Sequence, residues 1–505
     1  MTLEKTTRET GAPNDFAHRT ASFPGTLERV RRGARFCGLF PMPRASGGPR
    51  LLAVVSESGT VVIEEATVAS EQGRFTSLTP EIPAAGWYER RARDLFGIEP
   101  LGHPRLDPLV FPVSPGAQAP LGARGRPEVA MAPDLTPLPP HLHGEGVFVI
   151  PYGPVRSGVF ESVEYLVETP GEDIPHLRTR VFYKHRGVDA RFIGLGIEDG
   201  ALLAERVEGV SSVAHASAFC EAVERLGEVV VPLQSQLVRV VHAELERVAN
   251  HLDTVIRHTE ASGQAVAFAV FSHHKERVQR LRARLCGSRF GRGVVVPGGV
   301  TGPLLLGPDE LLTEIAGLQG GIDPDVSRLM DTPSFVDRLR GAGVLDRDDA
   351  RKFSVVGPVG RASGELEDLR TVRPYGGYER LSHLVAERRD GGDALARQLV
   401  RIDEISGAFH LVRQAVDMLD ELGEPARWCV GVPQASGIAI GSVEAPQGEL
   451  LSIVEADHGQ LTQVTQRSAS FHNLAAYPCA YGKDIFTDVA FIEASFGLSI
   501  AGAAC

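Results

Sequence analysis

The sequence predicts an α+β protein: a small N-terminal α+β domain, then a larger, mainly α-helical domain with peripheral β-strands. Three observations carry this. Short runs rich in Val, Ile and Leu alternate with turn signals before residue 112. A stretch rich in Pro, Gly and Ala fills 113–144. Beyond it, apolar residues recur at helical spacing over long windows, above all between 212 and 261. At 505 residues the chain can hold two or three domains and a large buried core.

Taken in order, residues 1–25 are polar and read as a flexible tail. Within 26–112, "RLLAVVSES" and "GTVVIEEATV" have strand character, and a helical segment lies between Trp87 and Phe96. The stretch 113–144 reads as an extended linker. In the remaining domain, 145–505, the run from His215 to Ala261 predicts two long helices broken at Gly227 to Pro232. Further helices are expected at "FSHHKERVQRLRARLCG", "PDELLTEIAGLQ" and "DALARQLVRIDEISGAFHLVRQAVDMLDELG", with Gly287 and Gly423 where helix-ending glycines belong. "GVFVIPYGPV", "VEYLVETPG" and "GELLSIVEAD" read as β pieces bracketing the helical body.

Composition narrows the function. Hydrophobic residues make up 43% and charged residues 23%, an ordinary globular balance. A formal net charge of -12 argues against nucleic-acid binding, which needs concentrated Lys and Arg. No apolar run approaches the roughly 18 residues that span a bilayer. The N-terminus has no apolar core of a secretory signal, so membrane association is expected to come through a partner. The six cysteines, Cys37, Cys220, Cys286, Cys429, Cys479 and Cys505, are scattered, and none forms a Cys-x-x-Cys pair. Reduced, mostly buried thiols are expected, with no metal and no iron–sulfur cluster in this chain. "AERVEGVSSVAHASAFCEAVERL" has the outline of a metal-binding loop leading into an amphipathic helix. Glu208 and Ser211 stand where a cysteine pair would.

Several stretches carry a family resemblance. "WYERRARDLFGIEPLGHPRLDPLVFP" resembles the small hydrophilic (30 kDa-type) subunit of respiratory complex I, through Asp94 to Ile98 and Gly102 to Pro104. "GEGVFVIPYGPVRSGVFESVEYLVE" with Glu161, "FYKHRGVDARF" with His185 to Gly187, "VVVPGGV", "GPVGRASGELEDLRTVRPYGGY", "EAPQGEL" and "SASFHNLA" follow in one order. That order is similar to the large hydrogenase-like (49 kDa-type) subunit of complex I and of group-4 [NiFe] hydrogenases. The fusion of the two parts is similar to the large subunit of formate hydrogenlyase-type complexes.

The resemblance implies four cysteine ligands to a nickel–iron centre, and soft thiolates are what such a centre needs. The four positions fall on Glu208, Ser211, Ser499 and Gly502. A hydrogenase by itself is therefore not expected. The histidine and tyrosine of the quinone cleft of complex I fall on Phe160 and Gly209. Arg186 remains, facing a partner's cluster or anchoring a carboxylate in the core. His185 reads as a satisfied buried histidine, Glu208 as a solvated loop carboxylate or the filler of the vacated cleft, and Arg361 and Arg373 as ion-pair formers. "HLHGE" at His141 to Glu145 reads as solvated linker. No catalytic residue is assigned.

The implied protein is one component of an NADH–quinone oxidoreductase-like or hydrogenase-like electron-transport complex. It is expected at the cytoplasmic face of the inner (plasma) membrane, beside an iron–sulfur small subunit, a ferredoxin-like subunit and antiporter-like membrane subunits. Fe–S clusters and any NAD site are expected on those partners. A quinone or another acceptor is the expected electron sink, and a non-catalytic scaffold is the alternative.

Overall fold

Three antiparallel strands organise the N-terminal unit, because leucine, alanine and valine side chains fill both faces of the central one. In the computed structural model, residues 21–42, 48–57, 59–68, 73–112, 119–122, 140–142, 144, 146–156, 161–382 and 389–505 are described. Helix α1 (Pro24–Arg31) leads into β1 (Arg35–Met42), β2 (Arg50–Glu57) and β3 (Thr60–Thr67), a meander with β2 in the middle. Strand β4 (Arg74–Thr76), helix α2 (Gly86–Phe96) and strand β5 (Glu99–Leu101) follow, β4 and β5 pairing in parallel. Tyr88 of α2 packs edge-on against Phe36 and Phe40 of β1, at 5.7 and 5.9 Å between ring centroids.

Two sequence expectations need correction here. Phe23, assigned to the tail, is 1% exposed and part of the core, and Ala21 O accepts from Thr76 N. Its ring meets Phe75 edge-on, so apolar burial ties the end of the tail down. Within the linker, Leu121 is buried and its N–H donates to Leu95 O at 2.7 Å, so 119–122 packs on the end of α2. Residues 1–20 and 123–139 lie outside the described residues.

This unit is seated firmly on the rest. Arg35 grips Glu449 with two bonds of 2.9 Å, Arg91 pairs with Asp189, and the Tyr88 hydroxyl meets His472 Nδ1 at 2.6 Å. One continuous apolar cluster runs from Phe23 to Ala504.

The larger part opens with the antiparallel strands β6 (Phe148–Tyr152), β7 (Glu164–Thr169) and β8 (His176–Arg180). Helices α3 (Val188–Phe192), α4 (Ile197–Ala204), α5 (Ser212–Leu226), α6 (Leu233–Ala261) and α7 (Ala265–Cys286) follow. Then come the two-residue strands β9 (Val295–Val296) and β10 (Gly299–Val300), and the helices α8 (Pro308–Met330), α9 (Pro333–Leu339), α10 (Arg347–Lys352), α11 (Gly357–Ala362) and α12 (Leu369–Val372). Helix α13 (Ala394–Leu422) lies along α6. Leu237, Val241, Leu245, Val248, Leu252 and Val255 form the buried stripe of α6, at the three- and four-residue spacing that puts side chains on one helix face.

A second meander, β11 (Gly437–Ala445), β12 (Gly448–Asp457) and β13 (Gln460–Arg467), covers α5. Gly441 permits this. A Cβ there would lie 1.9 Å from Ala218 O, so only glycine lets the helix lie directly on the strand. The short helices α14 (Ala469–Asn473), α15 (Val489–Phe496) and α16 (Ile500–Ala503) complete the chain as described.

Candidate functional site

Two loops distant in sequence converge at the predicted cleft. The first is the turn between α4 and α5, carrying Glu208 and Ser211. The second leaves α15 at Gly497, which takes the left-handed backbone (φ 63°), and carries Ser499 and Gly502 into α16.

Of the two readings of Glu208, the solvated loop carboxylate fails: it is 2% exposed. Its carboxyl group is enclosed by the side chains of Gln447, Ser211 and His215. Gln447, in the turn between β11 and β12, donates from Nε2 to Glu208 Oε1 at 2.7 Å, and its own Oε1 accepts from Ser211 Oγ at 2.7 Å. Ser211 also reaches Glu208 Oε1 at 3.5 Å, and His215 Nε2 faces Glu208 Oε2 at 3.3 Å. Gln466 fixes the far side of that ring: its Nε2 donates to His215 O, leaving Oε1 to meet His215 Nδ1 at 2.5 Å. A buried carboxylate needs such partners, since a polar group withdrawn from water without them is costly.

Glu208 is also pressed against the second loop. A Cβ built on Gly502 would fall 2.1 Å from Glu208 Oε2 and 3.1 Å from Ser468 Oγ. The carboxylate therefore occupies the space a side chain at 502 would take. Ser499 Oγ donates to both oxygens of Glu161 at 3.1 and 3.3 Å, and Ala501 N donates to Glu161 Oε2 at 2.5 Å. Val210 of the first loop and Ser499 of the second line one cavity of about 20 Å³, with Glu161, Asn250, Asp253 and Thr254 among its other walls. That is room for a single water.

Arg186 and His185 clasp the two loops. Arg186 donates to Ala501 O at 2.9 Å and to Val207 O, joining one loop to the other. Its partners are carbonyl oxygens, so of its two expected roles the anchoring of a carboxylate is not what it does here. His185 Nδ1 bonds Ala504 O at 3.1 Å, and its ring lies edge-on to Phe111 at 5.5 Å. Burial pulls its pKa down to about 4, so the imidazole is neutral and Nδ1 carries the donated proton. Cys505 donates to Ala501 O and Gly502 O at 3.3 Å, and burial pushes its thiol up to about 12. It is a thiol there, not a thiolate.

The other singled-out residues fall elsewhere. Gly209 is exposed, and nothing lies within 4 Å of where its Cβ would be. Phe160, His143 and Glu145 lie outside the described residues. His141 is exposed and its ring stacks on His176 at 4.4 Å. Arg361 forms the expected ion pairs, with Glu404 at 2.6 Å and Glu444 at 3.0 Å. Arg373 does not: its guanidinium bonds Ser442 Oγ, the side chain that strand β11 presents to it. His215, Gln447 and Gln466 were missed. Only Gln447 had a signal, inside "EAPQGEL".

Comparison with known proteins fits this architecture. Residues 51–122 match the family of the respiratory-chain NADH dehydrogenase 30 Kd subunit, and residues 262–428 that of its 49 Kd subunit. Formate hydrogenlyase subunit 5 of Escherichia coli is 28% identical over 415 residues, covering 80% of this chain and 72% of the relative. The carbon monoxide-induced hydrogenase of Rhodospirillum rubrum is 31% identical over 307 residues, 60% of this chain and 84% of the relative. The NADH-quinone oxidoreductase C/D protein of Bacteroides thetaiotaomicron is 27% identical over 433 residues, 79% and 81% of the two chains. With both halves matched in one polypeptide, the chain belongs to the family of fused 30 kDa- and 49 kDa-type complex I subunits and their relatives, the large subunits of formate hydrogenlyase-type hydrogenases.

Proposed function

We propose that this chain serves a membrane-associated complex I-like oxidoreductase as its fused large subunit, without a nickel–iron centre of its own. One observation carries the reading: Glu208 fills the space of a side chain at 502, inside a ring of amide, hydroxyl and imidazole groups. A carboxylate, two hydroxyls and a glycine do not supply the soft thiolates that hold nickel to iron. The nearby Cys505 is kept protonated by burial. In this reading the subunit forms the wall beside the terminal Fe–S cluster of a partner small subunit, and its packed interior makes it a scaffold and coupling body.

A second reading, electron transfer to a quinone or another acceptor coupled to ion translocation, is favoured by the relatives named NADH-quinone oxidoreductase. The open space outside Gly209 also supports it. Among the described residues no helix is long and apolar enough to cross a membrane. Attachment at the cytoplasmic face would then run through antiporter-like membrane subunits and a ferredoxin-like subunit, with NAD bound elsewhere.

The test is purification of the tagged chain from native membranes, with metal analysis and mass spectrometry of what accompanies it. Iron, an iron–sulfur small subunit and membrane subunits should be found, with less than about a tenth of an equivalent of nickel. Stoichiometric nickel would overturn the reading. Quinone reduction by the purified complex that stops with Arg186→Ala would favour the second reading over the scaffold.

A further inference from the structure

On the other side of the β11–β12 hairpin from Glu208 lies a buried region built of charges. Arg361 of α11 donates to Glu404 at 2.6 and 3.0 Å and to Glu444 at 3.0 Å. Arg370 of α12 donates to Asp368 at 2.7 and 3.0 Å and to Glu244 at 3.0 and 3.2 Å. Arg247 of α6 reaches Glu244 at 3.1 Å and Glu404 at 3.4 Å, and gives further N–H groups to the backbone oxygens of Glu444 and Ala445. All seven groups are at most 8% exposed.

Four carboxylates, Glu244, Asp368, Glu404 and Glu444, share three guanidiniums. Full ionisation would leave one uncompensated negative charge in a medium where that is expensive. Nearby His251 does not supply the missing positive charge: burial holds its pKa at about 4, and it donates to Glu404 as a neutral ring at 2.9 Å. Arg401 acts on Glu404 through space, while its N–H groups go to the carbonyls of Arg397 and Phe496 rather than to any carboxylate of the network.

The four carboxylates are not equally supported. Glu244 receives both Arg247 and Arg370 and the Tyr378 hydroxyl at 2.6 Å. Glu404 receives Arg361 twice, Arg247 and His251. Asp368 receives Arg370 through two guanidine bonds and one from its backbone N–H. Glu444 receives one guanidinium N–H and the backbone N–H of Leu369 at 3.2 Å. Directly across the hairpin in register stands another carboxylate, Glu449, itself occupied by Arg35 and Arg467. Asp368, the residue capping α12, faces Glu444 too, the Tyr375 hydroxyl accepts from Glu444 N at 2.9 Å, and Glu221 of α5 takes Ser442 N two residues along.

We propose that Glu444 is a buried proton-binding site, holding one exchangeable proton that neutralises the excess negative charge of this network. Burial, and then the Asp368 carboxylate, push its carboxyl up to about 7. Arg370 holds Asp368 well below the usual range despite its burial. The site is independent of the functional reading above.

The sign of its pH dependence follows from linkage. The folded chain keeps this proton where the unfolded chain has released it, so the stabilisation is full near pH 4 and is lost as pH rises to about 7. Glu444→Gln mimics the protonated state. In the full chain it should match the parent in thermal unfolding only near about pH 4.5, gain on it as pH rises to about 7, and exceed it at about pH 8.5 by about 2 °C or more. A variant that loses stability at every pH, or loses more at high pH, would mean a paired anion and overturn the proposal. Glu404→Gln should lose stability throughout. Infrared pH-difference spectra of the parent provide a test that survives misfolding of the Gln variant. A buried carboxylic acid band should disappear between about pH 6 and pH 8 and should shift in Glu444→Asp. A parent without that band, or a band unmoved in Glu444→Asp, would also overturn it.

Discussion

Two polar interiors meet at the turn between β11 and β12, and they are held by opposite means. On one side, Gln447 encloses Glu208 with neutral amides and hydroxyls. On the other, Glu444 joins guanidiniums and carboxylates that alternate across α6, α11, α12 and α13. Ion pairs at this depth are unforgiving of deletion, because the surviving partner stays buried and charged. A cluster bonded mainly through amides and hydroxyls is sensitive also to volume. The cleft is therefore governed by space and the network by charge.

The sharpest way to break that contrast is Glu404→Ala. It would strand Arg361 and Arg247 and remove the acceptor of His251, at a cost of about 3–5 kcal/mol in chemical denaturation. A loss under about 1 kcal/mol would show that water reaches the network and that charge does not rule there.

Acid should act more broadly. Burial lowers the pKa of His242 and His258 to about 3 and of His185 and His251 to about 4, so all four are neutral when folded. Below about pH 6.5 the unfolded chain binds protons that these rings refuse. Stability should fall as pH drops from about 6.5 towards 4, by up to about 1.4 kcal/mol per pH unit for each fully buried ring. Unfolding midpoints measured across that range check it, and a flat profile would contradict the burial of these rings.

On the cleft side, Gly502→Ala should cost about 1–3 kcal/mol, because its Cβ meets Glu208 Oε2. Combining it with Glu208→Ala should cost less than the sum of the single changes, by about 1 kcal/mol or more in a double-mutant cycle. Additive effects would mean that the two loops do not compete for one space.

The smallest effect is expected from cutting the chain. Limited proteolysis should nick the Pro- and Gly-rich stretch 123–139 first. The two pieces should stay together through Arg35–Glu449, Arg91–Asp189 and Tyr88–His472. Separation of the pieces on gel filtration would show that the N-terminal unit is only tethered.

What the sequence revealed of the fold follows how local each signal was. Helices α5, α6, α7 and α13 were legible because long apolar stripes repeat at helical spacing, and the break at Gly227 to Pro232 because proline and glycine end helices. Helix α8 was expected to stop near Gln319, yet it continues through Gly320, Gly321 and Pro324 to Met330. Burial of Ile322 and Leu329 outweighs the weak local propensity there. Strands β1, β8, β11 and β13 were missed, as were the short β4, β5, β9 and β10: β8 reads "HLRTR", polar at alternate positions, and is ordered by pairing with β7.

In the cleft, the resemblance brought out Glu208, Ser211, Ser499 and Gly502. It carried no sign of what encloses them. Gln447 is 236 residues from Ser211, and Gln466 is 251 from His215, so only the fold brings them together.

The contact between Glu208 and Gly502 also sets an order of events. On any mutational path that puts a side chain at 502, that side chain and the Glu208 carboxylate exclude each other, since both claim the same few cubic ångströms. Glycine at 502 is thus the permissive step and must come before the glutamate. In the reverse direction, a side chain can enter 502 only after 208 has first given up its carboxylate.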